Sequence, residues 1–166
     1  PLCKRALNNY LEELDPSKTY FIASEIYQWT DPSESLLVQL QNGYKKSNYE
    51  IFEEIHEAMV KAIERRNHLE DQVNNSELPV DVDPIEFKDL EWAKDEEGLL
   101  TRLKRIRSLQ NEAAEKLDPE FREKALQRIA KRRSKSEEEI LVQDPTEKEH
   151  YILSNVLKAT NASMDS

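Results

Sequence analysis

The chain has 166 residues and a formal net charge of -10, with 35% charged and 7% aromatic side chains. That length suits one domain with a real core, and an acidic whole repels polyphosphate, which argues against nucleic acid as a partner. Two glycines, Gly43 and Gly98, leave no Gly-rich phosphate loop and no nucleophile elbow, and a single cysteine, Cys3, excludes an internal disulfide and an all-cysteine zinc site.

Abundant Leu, Ile, Glu, Lys, Arg and Ala with so little Gly make this the composition of an all-α protein. Charge is uneven: -12 over residues 1–100, +4 over 101–141 and -2 over 142–166. No apolar run reaches membrane-spanning length, so no membrane insertion is expected. The chain starts with Pro1 rather than Met and reads as a fragment of a longer protein.

Asp-Pro occurs five times, at Asp15-Pro16, Asp31-Pro32, Asp83-Pro84, Asp118-Pro119 and Asp144-Pro145. Asp accepts bonds from the unpaired N–H groups at a helix start, and Pro fits N1 because its missing N–H needs no partner. These pairs punctuate the chain into helices at Leu2–Leu14, near Ala23–Trp29, and at Pro32–Asn42, Tyr49–Asn74, Asp95–Leu117, Pro119–Ile140 and Pro145–Ala162. Glu34 and Glu147 fall at the capping-box position after Asp31 and Asp144. Gly43 is placed to close the third helix and Asn48 to cap the fourth.

On the fourth helix Ile51, Phe52, Ile55, Met59, Ala62, Ile63, Leu69 and Val73 share one arc, with Arg66 in its middle. Arg66 either lays its stem along apolar surface or makes a salt bridge. The fifth carries Leu99, Leu103, Ile106, Ala113 and Leu117 at helical steps. The sixth carries Phe121, Ala125, Ile129, Ser136 and Ile140, more weakly. Residues 76–92, with Pro79 and Pro84, form the one irregular excursion, a long loop or short extended arm. The expected architecture is a single helical domain over 1–166 with long antiparallel helices and that one excursion.

Leu14-Asp15-Pro16 followed by Tyr20-Phe21 and Ile26 resembles the signature near the start of the tail-specific proteases, the C-terminal processing serine proteases. Glu25 replaces the more usual Asp before Ile26. Trp92 through Leu99 is similar to the family's aromatic and acidic stretch ahead of a long basic helix. The Arg- and Lys-rich run from Ala125 to Ile140 is similar to the helix that follows. The run from Tyr151 to Ser166 looks like the family helix that leads into the PDZ domain, with Ser166 where the family often has Pro.

The resemblance implies a non-catalytic helical N-terminal domain of a periplasmic protease that cleaves proteins recognised by nonpolar C-terminal tails. The parent's Ser/Lys dyad then lies outside this chain, so no residue here is assigned a catalytic, cofactor or metal role. The roles it implies are dimerisation, adaptor docking or the holding of unfolded substrate, beside the PDZ and protease core of the same chain. Trp29, Trp92, Arg128, Arg132 and Arg133 are the candidate interface residues.

Three sharper patterns compete with that reading. Glu53/His56 and Glu147/His150 are two Glu-x-x-His pairs, as in a ferritin-like di-iron protein. Yet Glu53 points away from its helix's apolar face, and capping already explains Glu147. Ser134-Lys135 and Lys46-Ser47 mimic a Ser/Lys dyad but lack an apolar pocket to lower a lysine pKa. The basic run Lys131–Lys135 precedes Glu137, Glu138 and Glu139, which suits a solvated helix face with ion pairs. A free-standing helical chaperone is the remaining alternative.

Overall fold

A computed structural model describes residues 2–165; Pro1 and Ser166 lie outside the described residues. The fold is all-α: seven helices, no strand among the described residues, and one isolated parallel bridge between Ile22 and Ala93. The helices are α1 (Leu2–Leu14), α2 (Ala23–Thr30), α3 (Glu34–Lys46), α4 (Glu50–Asn74), α5 (Glu96–Glu115), α6 (Pro119–Ile140) and α7 (Pro145–Met164), with a 3-10 turn at Pro84–Phe87.

The Asp-Pro pairs do not all start helices by capping them. Asp144 Oδ1 accepts from Thr146 and Glu147 N–H at 2.9 and 3.1 Å and starts α7. Asp83 caps the 3-10 turn through Ile85 N–H at 3.0 Å. Asp31 instead ends α2, its N–H bonded to the Tyr27 carbonyl at 2.9 Å and its carboxylate to the Tyr27 hydroxyl at 3.1 Å. Ser33 therefore caps α3, accepting from Leu36 N–H at 3.1 Å, and Glu34 is the first helical residue rather than the capping-box Glu.

Gly43 does not close α3, which runs on to Lys46 and ends where Ser47 turns left-handed at φ 54°. Gly43 is needed there for another reason. A Cβ on it meets the carbonyl oxygen of Asn48, whose N–H bonds the Gly43 carbonyl at 2.7 Å. Asn48 itself reaches Glu50 N–H at 3.2 Å, at the start of α4.

Two apolar clusters share α4. The larger gathers Leu7, Tyr10, Leu11, Phe21, Ile26, Trp29, Phe52, Ile55, Met59 and Ile63 with Ile152, Val156 and Ala159 of α7. Within it Tyr10 meets Phe52 edge-on at 4.8 Å, the geometry that aromatic quadrupoles favour. Helices α1 and α7 run antiparallel, Asn9 Nδ2 donating to the Ala159 carbonyl and Leu2 lying near Met164. The smaller cluster joins Leu69 and Val73 of α4 to Ala93, Leu99 and Leu103. All eight apolar residues expected on α4 are buried.

The hairpin of α5 and α6 departs from the expected packing. Ala114 is buried on α5 while Ala113 and Leu117 are exposed, and on α6 only Ile140 of the expected stripe is buried. Phe121 and Ile129 stay exposed, Ile129 at the edge of a cleft of about 430 Å³ that it lines with Leu126 and Arg133 opposite Asn67, Asp71 and Asn74. The excursion is a loop around the 3-10 turn, anchored by buried Val82.

His56 is buried where α4, α6 and α7 meet. Its Nε2–H donates to the Ile140 carbonyl at 3.0 Å and its Nδ1 has no partner. Burial, then the charge of Lys148, hold its pKa below the ordinary value, against the Ile140 bond and Glu57. The folded state therefore keeps the ring neutral, whereas the unfolded chain takes a proton near pH ~6.5. This contribution to stability is complete above about pH 6.5 and is lost as pH falls below it. Denaturant midpoints should drop between pH ~7.5 and ~5.5, and His56→Gln should flatten that part of the profile.

Candidate functional site

The most constrained constellation starts at the end of α1. Lys18 N–H bonds the Asp15 carbonyl at 3.1 Å, closing a turn with Pro16 at its second position, where a fixed φ is favoured. Lys18 then takes a left-handed φ of 55°. The chain reverses, and three successive amides face the Asp15 carboxylate. Oδ1 accepts from Thr19 N–H at 3.0 Å, and Oδ2 accepts from Tyr20 and Phe21 N–H at 3.2 and 3.0 Å.

Trp92 supplies a fourth donor, its Nε1–H reaching Oδ2 at 3.0 Å. Asp15 is 0% exposed, so these bonds replace the water it loses on folding. Lys18 Nζ lies 4.7 Å over the Trp92 ring and donates to the Leu90 carbonyl at 2.7 Å. Arg102 clamps the Lys18 and Glu91 carbonyls at 2.7 and 2.8 Å. Burial lowers the Arg102 pKa, and the nearby Asp15 charge opposes that.

Tyr20 carries the network across the molecule. Its hydroxyl donates to Glu137 Oε2 of α6 at 2.7 Å, and the Arg66 guanidinium lies 4.6 Å over its ring. Burial is the main cause that keeps its phenol protonated far above the usual range, so it remains a donor. Arg66 also donates to Thr19 Oγ1 at 2.7 Å and pairs with Glu70 at 3.3 Å, which settles its role as a salt bridge. Glu70 additionally holds Arg107 of α5 and, at 3.6 Å, Arg133 of α6. Arg133 stands 3.8 Å from Glu137 as well.

The motif residues Leu14, Asp15, Tyr20, Phe21 and Ile26 are all buried, with Pro16 exposed at the turn. The interface candidates separate. Trp29 lies in the main core, Trp92 binds Asp15, and Arg133 faces inward to the Glu70 and Glu137 carboxylates. Arg128 and Arg132 are exposed on the outer side of α6. Sequence reasoning missed the Glu70 cluster, the Trp92 bond and buried His56. Only Arg66, charged in an apolar arc, signalled any of them.

The Ser/Lys neighbours and the two Glu-x-x-His pairs are not assembled into sites. Ser134, Lys135, Lys46 and Ser47 are exposed, so neither lysine is desolvated. Glu53, Glu147 and His150 are exposed while His56 points to a backbone carbonyl, so the two Glu-x-x-His pairs do not converge. The described residues hold no group of three or more His, Cys, Asp or Glu able to bind a metal.

Removing the Asp15 carboxylate strands four donors in the interior. Asp15→Ala should cost about 3 kcal/mol or more, since each orphaned buried group costs about 1–3 kcal/mol. Trp92→Phe removes one of the four and should cost about 1–2 kcal/mol. Urea unfolding checks both values and, above all, their order.

A search of curated proteins and a search of solved structures return no match. The family described as the tail specific protease N-terminal domain matches residues 1–166. The chain, with its all-α fold, therefore belongs to the tail-specific protease N-terminal domain family.

Proposed function

We propose that this chain is the non-catalytic docking domain of a periplasmic tail-specific serine protease, and that it binds acidic protein surfaces through the outer face of α6. The carrying observation is the character of that face. Lys124, Arg128, Lys131, Arg132 and Lys135 are all exposed there, beside Phe121 at 49% exposure. At about 100° per residue these six side chains share an arc of roughly 100°. The chain that carries this basic strip is otherwise acidic, with -12 over residues 1–100.

Such a strip selects its partner by charge complementarity, and an exposed aromatic supplies the apolar anchor. The acidic first hundred residues of a second copy fit it, which makes self-association the first role. An adaptor or unfolded substrate with an acidic surface meets the same chemistry. Membership in an N-terminal domain family supports the reading that the reaction is carried out elsewhere in the protease, by the Ser/Lys dyad that the resemblance implies.

Light scattering coupled to size exclusion over a concentration series tests this. The chain should elute with a mass of twice 19.5 kDa. The Arg128→Glu/Arg132→Glu double variant should elute as a monomer with stability changed by less than about 0.5 kcal/mol per site. Salt at ~0.5 M should weaken the wild-type dimer by screening. A wild-type monomer at every concentration rejects self-association, and a dimer indifferent to both changes rejects the α6 face.

A further inference from the structure

The basic strip of α6 has a counterpart in charge and in length on α4. Helix α4 turns its apolar arc to the core, and its first half is acidic on another side. Glu50, Glu53, Glu54, Glu57 and Glu64 are all exposed, and at about 100° per residue they share an arc of roughly 100°. From Glu50 to Glu64 the one other residue in that arc is Lys61, which leaves the face with a charge of -4. The α6 strip, with Lys124, Arg128, Lys131, Arg132 and Lys135, carries +5. Phe121 to Lys135 and Glu50 to Glu64 each span 14 positions, about 21 Å of helix.

A seat for an aromatic ring adjoins the acidic face at the start of α4. A groove of about 550 Å³ runs between α4 and α7, with Glu53 and Glu149 on its walls and Tyr49, Leu153 and Leu157 beside them. Leu157 is 62% exposed, so a partner's ring finds apolar surface there as well as carboxylates. The other acidic stretch, residues 77–97, fits the strip less well. Asp83 and Asp95 are used as caps and Glu86 is paired with Arg105, and its backbone is an irregular loop rather than a straight helix.

We propose that the α6 strip of one copy docks along the acidic face of α4 in a second copy, with Phe121 seated in the groove between α4 and α7. The inference rests on the self-association reading of the α6 face and names the surface that receives it. Laid parallel, the two helices bring Lys124 near Glu53 and Glu149, and Arg128 through Lys135 along Glu54 to Glu64. In a closed pair of copies the contact is made twice, so two complementary strips act together.

Charge exchange between variants of this chain tests the pairing, read as dissociation constants by sedimentation equilibrium. Glu54→Lys/Glu64→Lys should weaken the homodimer at least about tenfold, as Arg128→Glu/Arg132→Glu does. Lys suits an exposed helix position as well as Glu, so circular dichroism and the thermal midpoint should stay unchanged. Mixed in equal amounts, the two variants should pair with each other at least about tenfold more tightly than either pairs with itself, because each strip then meets its opposite charge. A Glu54→Lys/Glu64→Lys chain that dimerises like wild type, or a mixture that does not pair, overturns this surface while the α6 reading stands. A wild-type monomer at every concentration overturns both. Should the α4 variant not fold, Leu157→Ser decides: dimerisation unchanged by it removes the seat and the proposal.

Discussion

The fold turns on one buried carboxylate. Asp15 holds three consecutive amides and an indole N–H, and this arrangement does more than end a helix. By bonding Thr19, Tyr20 and Phe21 it sets the direction in which the chain leaves α1, and so drives Phe21 and Ile26 into the main core. By bonding Trp92 it fixes the far end of the excursion. Ala93 then bridges Ile22, its carbonyl accepting from Ala23 N–H at 2.7 Å, and Asp95 caps α5 through Gly98 N–H at 2.8 Å. A buried charge held by four donors specifies geometry strongly, because any other arrangement leaves it unpaired.

The second constraint follows from the first. Once Tyr20 is placed, its hydroxyl meets Glu137 and its ring supports Arg66. Glu70 then gathers arginines from α4, α5 and α6. Ion pairs that are partly withdrawn from water, as these are, contribute little net stability. Their contribution here is positional: they fix the base of α6 while the rest of that helix stands away from α4 across an open cleft. A rigid base with a projecting basic face is what a docking element requires, since little ordering remains to be done on binding.

Much of the helix framework is legible in the sequence, for identifiable reasons. Leu2–Leu14 and Pro119–Ile140 match the expected bounds, because Pro119 sets a start and the apolar steps set an extent. The α4 arc is legible because eight apolar residues repeat over 25 positions. The Asp31 expectation fails because two acceptors, Asp31 and Ser33, compete two residues apart. The stripe on α6 fails because periodicity records a face without recording whether anything covers it. The site is harder to read than the fold. Asp15 and Trp92 lie 77 positions apart, and no local pattern pairs a carboxylate with a distant indole. Arg133 sits inside a basic run that otherwise faces solvent, so only the register of α6 against α4 separates it from Arg132.

Amide hydrogen exchange resolved by residue tests the central claim most directly: a body locked around Asp15 that presents a free α6 face. The amides of Thr19, Tyr20 and Phe21 should exchange only with global unfolding, together with those of Phe52 and Ile55. In the Arg128→Glu/Arg132→Glu monomer, amides over Phe121–Arg132 should exchange faster by local opening, since little of that segment is covered within one copy. Early exchange at Thr19, Tyr20 and Phe21 would contradict the account, because the Asp15 turn would then be an appendage to the fold rather than its anchor.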